Sequence, residues 1–291
     1  MKPLAILRAL VLHALITPAP AASSAIRALY LFKDVLKSNT TALTTSGFNT
    51  LIIFGVGILS NGDIMYYSNT PGSKDTLVAS AGAYVGGDAL AAKVRSFKTT
   101  NSTTVDRVEI STNAQNIKTL MTTPGPGPTT PLYRNLAALR DAWGLDAVNN
   151  DDESIYHADS TAAFGKMLGA IGLRYSIAPY DGGVVSFWST VRSRVGAAVL
   201  DRVYLQCYDG GAGNDPAAWQ SRLGTKVVPL LWVVNDSKPR YGTSAAQARD
   251  KFVAWSKQAA VAGGGYWNDF DIEKMGLSYK DYGGVLTSVF P

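Results

Sequence analysis

The sequence predicts an α/β fold, a single (β/α)8 barrel carrying a small β-hairpin insertion after its second strand. Three observations predict it. Eight short apolar runs of strand type recur along the chain, longer segments of helical periodicity separate them, and 291 residues with 46% hydrophobic and 17% charged positions suffice for one barrel-sized core. Alternation of strand-like and helix-like segments is the pattern of a parallel sheet covered by helices, and eight strands is the number that closes it.

The strand runs are AIRALYLF (25–32), NTLIIFGVG (49–57), DRVEIST (106–112), GLDAVNN (144–150), LRYSIAP (173–179), DRVYLQCY (201–208), KVVPLLWVV (226–234) and GGGYWN (263–268). Between them large apolar residues step by three and four. Leu90, Val94 and Phe97 form one stripe, Leu132, Leu136, Leu139 and Trp143 a second, Phe164, Met167, Leu168 and Ile171 a third, and Phe252, Trp255 and Ala259 a fourth. These stripes are core contacts against the sheet and carry no chemistry. After the second run, SNGDIMYYSNTPGS places an Asn-Gly turn between extended residues, the signal for a hairpin. After the third, TTPGPGPTTP (122–131) is too rich in proline and glycine for a helix or an inner strand. Both segments follow strands and therefore belong to the face where barrels keep their active sites.

Residues 1–21 read as a secretory signal. Lys2 gives a basic start, an apolar stretch runs from Ala9 to Ile16, and Ala19-Pro20-Ala21 supplies a cleavage site, leaving residues 22–291 as one secreted catalytic domain. The formal net charge of +5 is scattered, with no basic run alternating with aromatics, which argues against nucleic acid. Beyond the signal no apolar run approaches the roughly 18 residues a membrane span needs, and the expected product is a soluble, extracellular monomer. The single cysteine, Cys207, excludes an intrachain disulfide, and three acceptor triplets at Asn39, Asn101 and Asn235 fit a secreted glycoprotein.

Chemistry concentrates at the end of the fourth run, in GLDAVNNDDESIY (144–156). Strand alternation points Asn149, Asp151 and Glu153 in one direction and Val148, Asn150 and Asp152 in the other, so a polar ladder rises out of the barrel mouth with Glu153 as its last rung. Glycosidic cleavage wants this arrangement: one carboxylic acid protonates the leaving oxygen while a second group stabilises the oxocarbenium-like transition state. Like-charge repulsion from Asp151 is expected to raise the pKa of Glu153 toward that of a general acid. The competing readings are a solvated loop and a divalent-cation site using Asp151, Glu153 and His157. A calcium loop starting at Asp146 fails because Val148 offers no oxygen and Asp151 replaces the required glycine.

The run Asp146-Ala147-Val148-Asn149-Asn150-Asp151-Asp152-Glu153 resembles the strand-four signature of the family 18 glycoside hydrolases, Asp-Gly-x-Asp-x-Asp-x-Glu, the family of chitinases and endo-β-N-acetylglucosaminidases. Ala147 replaces the glycine and Asn149 an aspartate. The resemblance implies a retaining, substrate-assisted mechanism: Glu153 protonates the leaving sugar, and Asp151, partnered by Asn149, orients the substrate's own 2-acetamido group. LQCYDGGAGND (205–215) is similar to the family's strand-six element and implies Gln206, Tyr208 and Asp209 as pocket residues, with Tyr208 donating to the acetamido carbonyl. GGGYWNDFD (263–271) is similar to the last strand and implies Trp267 as the platform under a sugar ring. The third run ends ISTNA (110–114) where the family usually carries Ser-x-Gly-Gly.

Tyr180 and Asp181 follow the fifth strand directly and are expected pocket walls, while Trp232 either lines the cleft or packs under a helix. The expected function is hydrolysis of a polysaccharide or oligosaccharide at an N-acetylhexosamine, with no metal or organic cofactor implied. The alternatives are a lectin-like barrel without catalysis, and a hydrolase of other glycans in which Asp209, Asp181 or Asp269 faces Glu153 as a second carboxylate.

Overall fold

The computed structural model describes residues 25–291, and the expected signal at 1–21 lies outside the described residues. Eight parallel strands close on themselves: Ile26–Leu31, Thr50–Ile53, Arg107–Thr112, Ala147–Asn150, Arg174–Ile177, Leu200–Gln206, Val228–Val233 and Gly263–Trp267. Each pairs with its sequence neighbours, and the first pairs with the eighth. Helices including Asp88–Thr99, Pro131–Trp143, Ala158–Ile171, Val185–Val195 and Ala245–Ala259 cover the outside. The first three expected stripes are buried throughout, and Phe252 is buried in the fourth. Among the described residues no helix is long and apolar enough to cross a membrane.

Local chemistry sets where the strands begin. Gly144 takes the left-handed conformation that ends the helix Pro131–Trp143, so the fourth strand starts at Ala147, three residues inside the sequence-based boundary. The eighth strand fits closely because it lacks side chains where its neighbours crowd it. A Cβ on Gly265 would lie 2.8 Å from Leu230 Cδ2 and 2.9 Å from Ala28 Cβ.

The expected hairpin is the first half of a larger element. Val56–Ile58 and Ile64–Tyr66 pair antiparallel across the Asn61-Gly62 turn, and Thr76–Ser80 and Ala83–Tyr84 extend them into a four-stranded sheet. The second turn uses Ala81 and Gly82, both at positive φ, and an alanine there gives no sequence signal. Of the three acceptor triplets, Asn39 and Asn101 are exposed. Asn235 is buried, its amide donating to Val233 O and its oxygen accepting from Lys238 N at 2.7 Å, which closes it to glycosylation in the folded chain.

Inside the barrel, a polar layer sits below the mouth. Glu109 is fully buried, accepts from Arg107 Nε at 2.7 Å and Tyr204 Oη at 2.7 Å, and takes the Ser176 hydroxyl as well. Arg107 also forks onto Asp201 at 2.6 and 2.9 Å. Burial works to raise the pKa of Glu109, but Arg107, Arg202 and these hydrogen bonds outweigh it and hold the carboxylate below its ordinary value.

Candidate active site

The fourth strand delivers its alternate residues as the pleat requires. Asn149 points into the barrel, where its oxygen accepts from Tyr30 Oη at 2.9 Å and Ser111 Oγ at 3.1 Å while its amide donates to Ser176 Oγ at 3.0 Å. Asn150 points outward and donates to Tyr175 Oη at 2.7 Å. Asp152, also facing away, accepts from the backbone N–H groups of Ser154, Ile155 and Tyr156 at 3.1, 2.8 and 2.9 Å. That carboxylate builds the turn immediately after Glu153 and fixes where the strand end stops.

Asp151 and Glu153 rise from the mouth on the same side. A single amide bridges them: Gln206 Nε2, from the sixth strand, lies 3.2 Å from Asp151 Oδ1 and 3.3 Å from Glu153 Oε1, and is anchored by Ala178 O at 2.9 Å. Burial pushes the Asp151 carboxyl up to about 8, and the neighbouring charges of Glu153 and Asp152 add to it. Desolvation is the larger cause at Asp151, the half-buried rung of the ladder, and like-charge repulsion the smaller.

These carboxyl groups form one wall of a cavity of about 460 Å³, with Tyr180, Gln206, Tyr208, Asp209, Trp232, Trp267 and Phe54 among its other walls. Its size lies in the range of small-molecule sites. Trp267 is braced by Phe54 edge-on at 4.6 Å, by Tyr30 at 5.5 Å and by Phe32 at 5.6 Å. Tyr208 packs edge-on to Trp232 at 5.7 Å, and Trp232 Nε1 donates to Asp271 Oδ2 at 2.7 Å. Burial, then Asp151 and Glu153, hold the Tyr208 phenol well above its ordinary pKa, so it remains a hydrogen-bond donor throughout the neutral range. The arrangement offers two carboxyl groups, a neutral phenol and an indole face around one hollow.

Solved structures share this architecture. The catalytic domain of a family GH18 chitinase from the fern Peteris ryukyuensis superposes with a TM-score of 0.64 at 16% identity, covering 91% of this chain and 98% of that one. The fold is that of the GH18 chitinases. A Group IV chitinase from Ostrinia furnacalis gives a TM-score of 0.61 at 10% identity over 91% and 99% of the two chains. A Class V chitinase from Nicotiana tobaccum in complex with NAG4 gives 0.56 at 13% identity over 90% and 99%. No protein-family model and no curated protein sequence matches the chain.

Eight of the eleven site residues expected from sequence come together: Asp151, Glu153, Tyr180, Gln206, Tyr208, Asp209, Trp232 and Trp267 all line the cavity. Three do not. Asn149 sits one layer below, and its oxygen and amide are spent on Tyr30, Ser111 and Ser176 rather than on Asp151. Asp181 caps the turn Gly182–Val184, accepting from Gly183 N at 2.7 Å. Asp269 is fully buried and accepts from the backbone N–H groups of Phe32 and Lys33 at 2.6 and 3.0 Å, tying the eighth strand's exit to the first's. Of the carboxylates proposed to face Glu153, only Asp209 reaches the cavity, and Lys238 pairs with it. His157 caps the helix Ala158–Ile171 through Ser160, and among the described residues no cluster of His, Cys, Asp and Glu could hold a metal ion.

Phe54 and Gly210 are the cavity residues the sequence reading missed, and Phe54 is the one with a side chain to offer. NTLIIFGVG reads as one uninterrupted strand, yet the barrel strand ends at Ile53 and Gly55 takes φ 83°, leaving Phe54 at the mouth. The signal was the glycine, since Gly within a strand pattern marks a bend.

Proposed function

We propose that this chain is a secreted, monomeric glycoside hydrolase that cleaves a polysaccharide or glycan at an N-acetylhexosamine, with retention and by substrate-assisted catalysis. The observation that carries the reading is the bridging of Asp151 and Glu153 by Gln206 on one wall of a cavity that also holds Tyr208 and Trp267. A non-catalytic binding barrel would have no use for an exposed acid held beside a second carboxyl of raised pKa.

The chemistry follows from the groups present. Glu153, open to the cavity and to solvent, donates a proton to the glycosidic oxygen as that bond breaks. The carbonyl oxygen of the substrate's 2-acetamido group attacks the anomeric carbon, giving a cyclic oxazolinium ion, and Tyr208 donates its hydroxyl to that oxygen to position it. Asp151 faces the acetamido nitrogen. A cation forming beside it lowers its pKa by the same Coulombic effect through which Glu153 raises it. Its attraction is therefore strongest when the cation is present, which is the condition for lowering the barrier rather than only tightening binding. Water then opens the oxazolinium ion, giving its proton to Glu153 and restoring the starting configuration. Asn149 supports the floor of the site, and its locked carboxamide leaves the proton balance to Asp151 and Glu153, which Gln206 bridges as a hydrogen-bond donor.

Incubation of the purified protein with chitin oligosaccharides and N-glycans tests the proposal. Product release that is abolished by Glu153→Gln and inhibited by a thiazoline analogue of the oxazolinium ion is the expected result. Tight binding without product, unchanged in Glu153→Gln, would establish a lectin. Cleavage insensitive to the thiazoline would point to a two-carboxylate mechanism with Asp209 as the remaining partner.

A further inference from the structure

The parallel strands all begin at the face opposite the catalytic cavity, and there a hollow of about 460 Å³ opens to solvent. Four neighbouring strands, the third to the sixth, build it from their first residues and the turns before them, with Asp106, Arg107, Asp146, Arg174 and Arg202 in its lining. None of these residues takes part in the reaction proposed above. Three guanidinium groups around one hollow repel one another, so each has to meet an acid, a ligand or water.

The three arginines are not equivalent. Arg107 is spent, with Nε on Glu109 at 2.7 Å and both terminal nitrogens on Asp201 at 2.6 and 2.9 Å. Arg202 is held by one nitrogen only. Its Nη1 donates to Thr50 Oγ1 at 2.8 Å and Tyr204 Oη at 3.2 Å and stands 3.8 Å from Glu109 Oε1, whereas Nε and Nη2 donate to nothing among the described residues. The side chain is only 17% exposed, so these contacts fix a nearly buried guanidinium with its other edge unused. That edge, Nε–H beside Nη2–H, is the fork that meets two oxygens of one carboxylate or phosphate. Arg174 is exposed and forms no ion pair among the described residues. The nearby acids do not fill the fork. Asp201 is taken by Arg107, and Asp146 Oδ2 accepts from Lys98 Nζ at 2.7 Å and Val108 N at 2.8 Å. Asp106 is exposed and keeps its own hydration.

We propose that this hollow binds a small oxyanion, a phosphate or carboxylate group received by the Nε–Nη2 edge of Arg202 and closed over by Arg174. The site stands apart from the catalytic cavity and does not depend on the glycosidase reading. Its charges nearly balance, since Glu109 and Asp201 offset Arg107 and Arg202, Asp146 offsets Lys98, and Asp106 opposes Arg174. Recognition therefore rests on the fork more than on net charge, and an affinity of about 1 mM is expected.

Calorimetric titration of the full chain at neutral pH tests it with two probes, inorganic phosphate and citrate, each at an ionic strength held constant with sodium chloride. Saturable binding of at least one is expected, and which of them binds more tightly separates a phosphate site from a carboxylate site. Arg202→Lys keeps the charge and removes the fork, so binding should fall more than tenfold. Two exposed positions carry the test even if that variant folds poorly. Arg174→Ala should weaken binding about fivefold and Asp106→Asn should tighten it about threefold, both with an unchanged melting temperature. The better probe should also raise the melting temperature of the parent above that in chloride alone, and not that of Arg174→Ala by as much. Absence of binding by both probes, or binding that Arg174→Ala and Asp106→Asn leave unchanged, would overturn the proposal.

Discussion

Replacing Asp151 by Asn removes a charge that the fold holds at a cost, and the cost can be read from pH. Burial and the charges of Glu153 and Asp152 raise this carboxyl from 3.8 to about 8. Each pKa unit corresponds to about 1.4 kcal/mol between the protonation states, giving a ceiling of roughly 5–6 kcal/mol. Asp151 is only half-buried, faces an open cavity and keeps Gln206 as a donor, so about 2 kcal/mol is the magnitude to expect once solvent relaxes around the ion. The sign follows from linkage. The folded protein binds this proton more tightly than the unfolded chain, so the contribution is fully present below about pH 4 and is lost as pH rises through about 8. Urea denaturation of parent and Asp151→Asn proteins at pH 4, 6 and 9 should therefore show a stability difference that grows with pH. At pH 9 it should favour Asn by about 2 kcal/mol relative to pH 4, or about 5 °C in Tm. Asp269, also raised by burial to about 7, titrates in both proteins and cancels from the difference. A difference that stays flat with pH, or that favours the parent at pH 9, would refute the placement of Asp151 as a desolvated, repelled carboxyl.

Three further outcomes follow from the same geometry. Gln206→Met removes the donor shared by Asp151 and Glu153, so the Asp151 carboxyl should titrate still higher in a carbon-detected NMR experiment and kcat should fall by about tenfold; an unchanged titration would show that the bridge does not set it. Glu109→Ala removes the one fully buried carboxylate that Arg107 and Arg202 share, leaving Arg107 only Asp201 as a charged partner, and should cost about 3–5 kcal/mol by denaturation, whereas a loss under 1 kcal/mol would show that the inner network is dispensable. Asp269→Ala strands the N–H groups of Phe32 and Lys33, so stability should fall by roughly 1–3 kcal/mol; a loss of thiazoline affinity exceeding what unfolding explains would instead put this residue back in the pocket.

The barrel was legible because its strands are buried on both faces and read as near-continuous apolar runs, a strong signal in any single sequence. The ladder Asn149, Asp151, Glu153 was legible because alternation follows from the pleat alone, which also set Asp152 apart from it; that Asp152 builds the following turn emerges only from the structure. Asp181 and Asp269 were misread for one reason. An aspartate just past a strand is equally suited to cap the next turn or to face a ligand, and only the position of nearby N–H groups decides between them. The same limit applies to Asn149, whose partners Tyr30, Ser111 and Ser176 come from three other strands. The second half of the inserted sheet turns on Ala81, which carries no turn chemistry to read.

The most direct test of the site is the configuration of the first product. Proton NMR of a chitin oligosaccharide during the first turnovers should show the newly formed reducing end appearing as the β-anomer, before it equilibrates, with the parent protein and not with Glu153→Gln. An α-anomer as the first product, or equal β-anomer release by Glu153→Gln, would contradict a retaining reaction in which Glu153 gives and recovers the proton.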